Sequence, residues 1–185
     1  MLTNRHHWDY FIVLEEDVQK LTRFIHFSQA NFNTYSIELA RLLMASTQEI
    51  DVLFKQICAN HGDSTNEPGY RAFFSKGDYA KIRNVRILCP RYGLNFTPFA
   101  TWDKSTPEWW TANNKVKHER HLHFERASLG NVLDSLSALL IANIYFANDM
   151  ATLSTDTIPR GLLVPEGLVR AVAVGRTDLA FRMPP

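Results

Sequence analysis

The chain has 185 residues, of which 45% are hydrophobic and 21% charged, with a formal net charge of +1. Such values exclude disorder for the bulk of the chain and suit one globular domain that buries its core without metal or disulfide staples. The near-zero total hides a bias: net −3 over residues 1–75, +5 over 76–126 and −1 over the remainder, so only the middle favours an anionic partner.

In chain order, the start Met1-Leu-Thr-Asn-Arg-His-His-Trp-Asp9 lacks the apolar run of a signal peptide. A helix is expected over Leu14–Phe27, with acids in its first turn and apolar residues at Leu14, Val18, Leu21 and Ile25. Ser36 then caps a long helix to Asn60 whose inward stripe is Ala40, Leu43, Ile50, Leu53, Phe54 and Ile57, ended by His61-Gly62. Asp63 to Gly69 has loop composition, and a shorter helix is expected over Asp78–Ile87. An aromatic-rich irregular connection lies between Pro90 and Pro98.

Thr106-Pro107-Glu108 is a second helix start, with a capping hydroxyl and proline in the first turn, and the helix should run to His121. A last helix, Ser128–Asp149, buries Leu129, Val132, Leu133, Leu136, Leu139, Leu140 and Ile144. The apolar stretch Leu136–Phe146 is interrupted by Ser137 and Asn143 and is short for a bilayer, so no membrane partner is expected. The expected fold is all-α: an antiparallel bundle of four to five helices over 1–150, its long second and last helices packed antiparallel. Residues 151–185 form an extended tail, rich in proline, glycine and β-branched residues, packing on the bundle or on a partner.

Cys58 and Cys89 are far apart and have no metal-ligand spacing, so two buried thiols in a reduced, cytoplasmic compartment are expected, with no cofactor. No internal repeat, glycine-rich phosphate loop or zinc spacing occurs.

The stretch that carries chemistry is Trp109–Glu125. Helical spacing from Trp110 aligns Asn114, His118 and His121, with Lys117 alongside. Three of the seven histidines, His118, His121 and His123, fall within six residues. An aromatic plate, amides, imidazoles and a lysine make poor core, because each polar group would need a buried partner. They suit a phosphate held beside a proton-transfer group: imidazole titrates near neutrality, and lysine offsets charge on phosphoryl oxygens. The bland readings carry weight. Trp109 and Trp110 are more often core anchors than base-stacking plates, and a surface histidine cluster is as often a solvated face. His118, His121 and Glu125 on one helix make a weak metal site, and none is expected.

Asn113-Asn-Lys-Val-Lys-His118-Glu-Arg, followed by a long apolar helix and preceded by one bearing Glu49-Ile-Asp51 and Lys55, resembles the HEPN superfamily of small helical, nucleotide-binding or RNA-cleaving proteins. The resemblance spans roughly Glu15 to Asn148. Members that cleave RNA carry an arginine, four to six residues, then a histidine. His118 matches the histidine and Asn114 the polar follower, while Asn113 stands where the arginine would be. The resemblance implies metal-independent cleavage by ribose 2′-hydroxyl attack, a homodimer whose motifs share one cleft, and a place in toxin–antitoxin or phage-defence systems with an antitoxin protein as partner. In that reading His118, Asn114, Lys117 and Asn113 are catalytic, while Lys115, Arg120, His121 and Trp110 bind RNA or a nucleotide. The missing arginine keeps open a non-catalytic module that binds a nucleotide, RNA or a protein. Apolar surplus in the tail, Leu162–Val174, and in Phe96–Trp102 also argues for the homodimer.

Overall fold

The computed structural model describes residues 5–63, 65–150, 161–166, 168–173 and 176–181. Five α-helices occur among them: α1 (Arg5–Lys20), α2 (Ile37–Asn60), α3 (Glu67–Phe73), α4 (Glu108–His123) and α5 (Leu129–Asp149). The all-α class holds, and two small antiparallel sheets accompany the helices among the described residues.

Side-chain caps explain where the helices start. Ser36 Oγ accepts the Leu39 N–H at 3.1 Å, Asn66 Oδ1 accepts the Gly69 N–H at 3.0 Å, and Ser128 Oγ accepts the Asn131 N–H at 3.4 Å. Gly62 sits at φ 71°, the left-handed turn expected after α2. α4 departs from expectation: Pro107 occupies the cap position in extended geometry, and no side chain caps the helix.

α5 is the core helix, buried along nearly its whole length and packed against α1, α2 and α4. At 21 residues it is longer than the interrupted stretch read from sequence, and by length and composition it could cross a membrane. However, 83% of its apolar window is buried inside the protein.

The helix directions correct one expectation. α1 runs antiparallel to α2, as His7 meets Glu49 and Asp17 meets Arg41. α4 is also antiparallel to α2, with Trp110 beside Asp51 and Arg120 against Met44. The long helices α2 and α5 run parallel instead. Tyr35 bridges Ser128 at their starts, Ser46 bonds Ser135 at 2.8 Å midway, and Asn60 and His61 reach Asp149 at their ends. α4 is the reason: it carries the chain back along α2, so α5 begins at the end where α2 began. Tyr79 also donates to Asp149, pinning the far end.

Other boundaries moved. The first helix already covers Arg5, the first described residue, and stops at Lys20: its buried row is Trp8, Phe11, Leu14 and Val18, while Leu21 and Ile25 are only partly buried. α3 occupies part of the expected loop. The helix expected over Asp78–Ile87 is a 3₁₀ stretch, Gly77–Asn84, with Ile82 its one buried residue, and the chain then enters strand β1 (Ile87–Cys89). A single inward residue cannot anchor an α-helical face.

β1 pairs with β2 (Leu94–Phe96) through a turn at Gly93, φ 63°, and with β3 (Val164–Pro165) from the tail. Leu162 and Leu163 are buried, and the Leu163 N–H donates to the buried Glu15 carboxylate at 2.8 Å. The first described part of the tail therefore packs on the bundle. β4 (Leu168–Ala173) and β5 (Arg176–Phe181) form a hairpin, while residues 151–160 lie outside the described residues. Phe96, Phe99 and Trp102 are buried as well, so among the described residues Leu162, Leu163 and this aromatic segment leave no apolar surplus, while the side chains of residues 167–174 lie outside the described residues. Exposed apolar side chains lie elsewhere, among them Phe24, Ile37, Leu122, Val13 and Tyr35.

Candidate functional site

α2 and α4 each present a row at helical spacing to the space between them. Met44, Thr47, Gln48 and Asp51 face Trp110, Asn113, Asn114 and Lys117 across a groove of about 540 Å³. A second, shallower depression of about 750 Å³ adjoins it, lined by Ile37, Lys117, His118, Arg120, His121 and Phe124. Lys117 belongs to both. Ligand sites are commonly concave spaces of this size between helices.

The two indoles are core residues, as the bland reading had it. Trp109 is buried and donates to the Pro98 carbonyl at 3.0 Å; Trp110 is 7% exposed and shows the groove only a margin of its ring. Asn113 is 8% exposed, lines the groove, and its amide has no hydrogen-bond partner among the described residues. Asn114 is exposed on the groove's rim. Asn113 therefore belongs to the groove and not to the space beside His118.

α4 is broken directly after His118. Glu119 has φ −134° and ψ 39°, outside the helical region, and its carboxylate is held by Lys115 at 2.7 Å and His123 at 3.3 Å. Lys115 keeps that carboxyl below its usual range. The break means that the face expected to run from Trp110 through His118 to Glu125 is not continuous. It is divided between the groove and the depression, and Glu125 lies in a 3₁₀ turn lining neither.

Charge is distributed unequally. No carboxylate among the described residues pairs with Lys117, His118, Arg120 or His121, whereas Lys115 and His123 reach Glu119 and Arg126 reaches Glu108 at 2.7 Å. Arg120 Nη2 lies 3.6 Å from Met44 Sδ. Of the two lysines that could replace the absent arginine, Lys117 faces the histidines and Lys115 is committed to Glu119. Among the described residues, no group of three metal-binding side chains forms.

The sequence reading missed the α2 wall. Met44, Thr47 and Gln48 lie just beside the apolar stripe and received no role, and Asp51 entered only through the family resemblance. Asp51 is fixed from two sides: its oxygens accept Tyr70 Oη at 2.8 Å and Lys55 Nζ at 2.6 Å. The two thiols are buried as expected, and burial pushes Cys89 up to about 11 and Cys58 up to about 12, so neither is a nucleophile near neutral pH. Comparison with family models, curated proteins and solved structures finds no match for this chain.

Proposed function

We propose that the depression around His118 seats the phosphate backbone of single-stranded RNA, and that the protein is a HEPN-like, metal-independent endoribonuclease. The observation that carries this reading is the clustering of Lys117, His118, Arg120 and His121 around one open depression, with none of them paired to a carboxylate among the described residues. Unpaired cations on a concave surface attract a polyanion, and a neighbouring imidazole adds proton transfer.

In the proposed step His118 takes the proton of a ribose 2′-hydroxyl, whose oxygen attacks the adjacent phosphorus. The bond to the 5′-oxygen of the next nucleotide breaks, and the His118 imidazolium returns its proton to that oxygen. A 2′,3′-cyclic phosphate and a 5′-hydroxyl remain. Lys117 and Arg120 offset the charge that builds on the non-bridging oxygens. The proposal extends to a cytoplasmic protein, to a homodimer through the apolar rim of Ile37 and Leu122, and to a toxin or phage-defence role with an antitoxin partner.

The burial of Asn113 favours a second reading. With no arginine at that position, the same surface would bind RNA or a nucleotide without cleaving it. Incubating the purified chain with single-stranded RNA and a chelator tests between them. Fragments with cyclic phosphate ends support cleavage, and retention of intact RNA supports binding alone.

A further inference from the structure

The His118 depression needs no base contact to work, yet the adjoining groove is built for something flatter and less charged than phosphate. We propose that the α2–α4 groove is a nucleobase pocket selective for guanine, with Asp51 as the selecting group; this rests on the reading of the His118 depression as an RNA-phosphate seat.

Four features carry the inference. The groove is large enough, at about 540 Å³, for a base and part of its sugar. Met44 and the margin of the Trp110 ring supply apolar contact along the groove. Asn113, 8% exposed, lines the same groove, and its amide makes no hydrogen bond among the described residues. Facing the groove, the amide offers a donor and an acceptor to a ligand seated there, and it is matched by an edge that carries both. A nucleobase has such an edge.

Asp51 sets the selectivity. The hydroxyl of Tyr70 and the ammonium of Lys55 fix its carboxylate, and each oxygen keeps a lone-pair direction free. A carboxylate only accepts. Guanine alone among the four bases places two N–H donors side by side, N1–H and the 2-amino group. Adenine and cytosine would set a ring-nitrogen acceptor beside their single amino donor, and uracil flanks its one N–H with carbonyls.

The order of groups along the groove also fits. Asp51 stands beside Trp110 at one end, and Lys117 marks the other, seven residues along α4. That is roughly 10 Å of helix, the scale on which a nucleotide separates its base edge from its phosphate. A guanine edge on Asp51 would place the phosphate at Lys117, next to His118.

The test is calorimetric titration of the full chain with GMP, AMP, CMP and UMP at low ionic strength. GMP is expected to bind about tenfold or more tighter than each of the others, the discrimination of a good two-point base contact. Asp51→Asn, which keeps an oxygen for Tyr70, should erase that margin, and Lys117→Met should weaken all four nucleotides alike. Asn113→Leu provides a second variant that removes the unpaired amide, and it should lose nucleotide binding without losing melting temperature. Equal affinity for the four nucleotides, absence of binding, or a GMP preference that survives Asp51→Asn would each overturn the pocket. RNA cleaved or bound without guanine preference would sink the pocket and leave the phosphate seat standing. GMP selection without any action on RNA would do the reverse.

Discussion

Asn113 and His118 stand five residues apart on one helix yet open onto different spaces, Asn113 into the α2–α4 groove and His118 into the depression beyond it. Five residues turn an α-helix through about 140° past a full turn, so the separation follows from helical geometry. The position that would carry arginine therefore points away from the imidazole. The cations that share the depression with His118 are Lys117, one residue before it, and Arg120, two residues after.

That placement separates the two candidate lysines. Lys117→Ala should lower RNA cleavage or binding by roughly tenfold to a hundredfold, the worth of one charge-assisted contact. Lys115→Ala should change either by less than about twofold, because its solvent-screened pair with Glu119 holds it away from the depression. Equal losses from the two variants would show that Lys115 and Lys117 do not serve different faces of α4.

Asp134 gives a pH dependence with a definite sign. It is half-buried on α5 with no ion-pair partner among the described residues, and burial raises its pKa from 3.8 to about 6. The folded state then holds a proton that the unfolded state has released between about pH 4 and pH 6. Stability should fall as pH rises through that window, with the penalty fully present above pH 6. Asp134→Asn should remove the slope and stabilise the protein by about 1–2 kcal/mol at neutral pH. Urea melts of both proteins across the window would check this; an unchanged slope in the variant would assign the titration to another group.

Much of the scaffold was legible because its signals are local. Ser36 and Ser128 announce α2 and α5, and the leucine and isoleucine rows of both helices name their buried faces. The exposure of Lys117, His118 and His121 was legible too, since so many polar groups on one helix cannot be core. Relations between elements were not. Nothing local says that α5 runs alongside α2 in the same sense, because that depends on α4 returning the chain. The α2 wall escaped for the same reason: Thr47, Gln48 and Asp51 acquire meaning only when α4 lies opposite. The break at Glu119, held by Lys115 and His123, divided a face that helical spacing had drawn as continuous.

The tail junction is tightly specified. A Cβ on Gly161 would stand 1.6 Å from Glu15 Oε2, the carboxylate that receives the Leu163 N–H. Gly161→Ala should therefore cost about 1–3 kcal/mol by overpacking, and Glu15→Ala a similar amount by leaving a buried N–H unpaired. The costs should not add, since Glu15→Ala removes the atom that Gly161→Ala would strike. Additive losses in melting free energy would place the strain elsewhere.

The central claim is that His118 performs chemistry on RNA from an exposed position. Its most direct measurement is the cleavage rate of single-stranded RNA by wild type and His118→Ala, in chelator, alongside their melting temperatures. Loss of a general acid–base group costs about a hundredfold to ten-thousandfold. His118 is exposed and packs little, so the account predicts that loss of rate with the melting temperature unchanged. Cleavage that persists in His118→Ala, or an absence of cleavage in wild type, would contradict it.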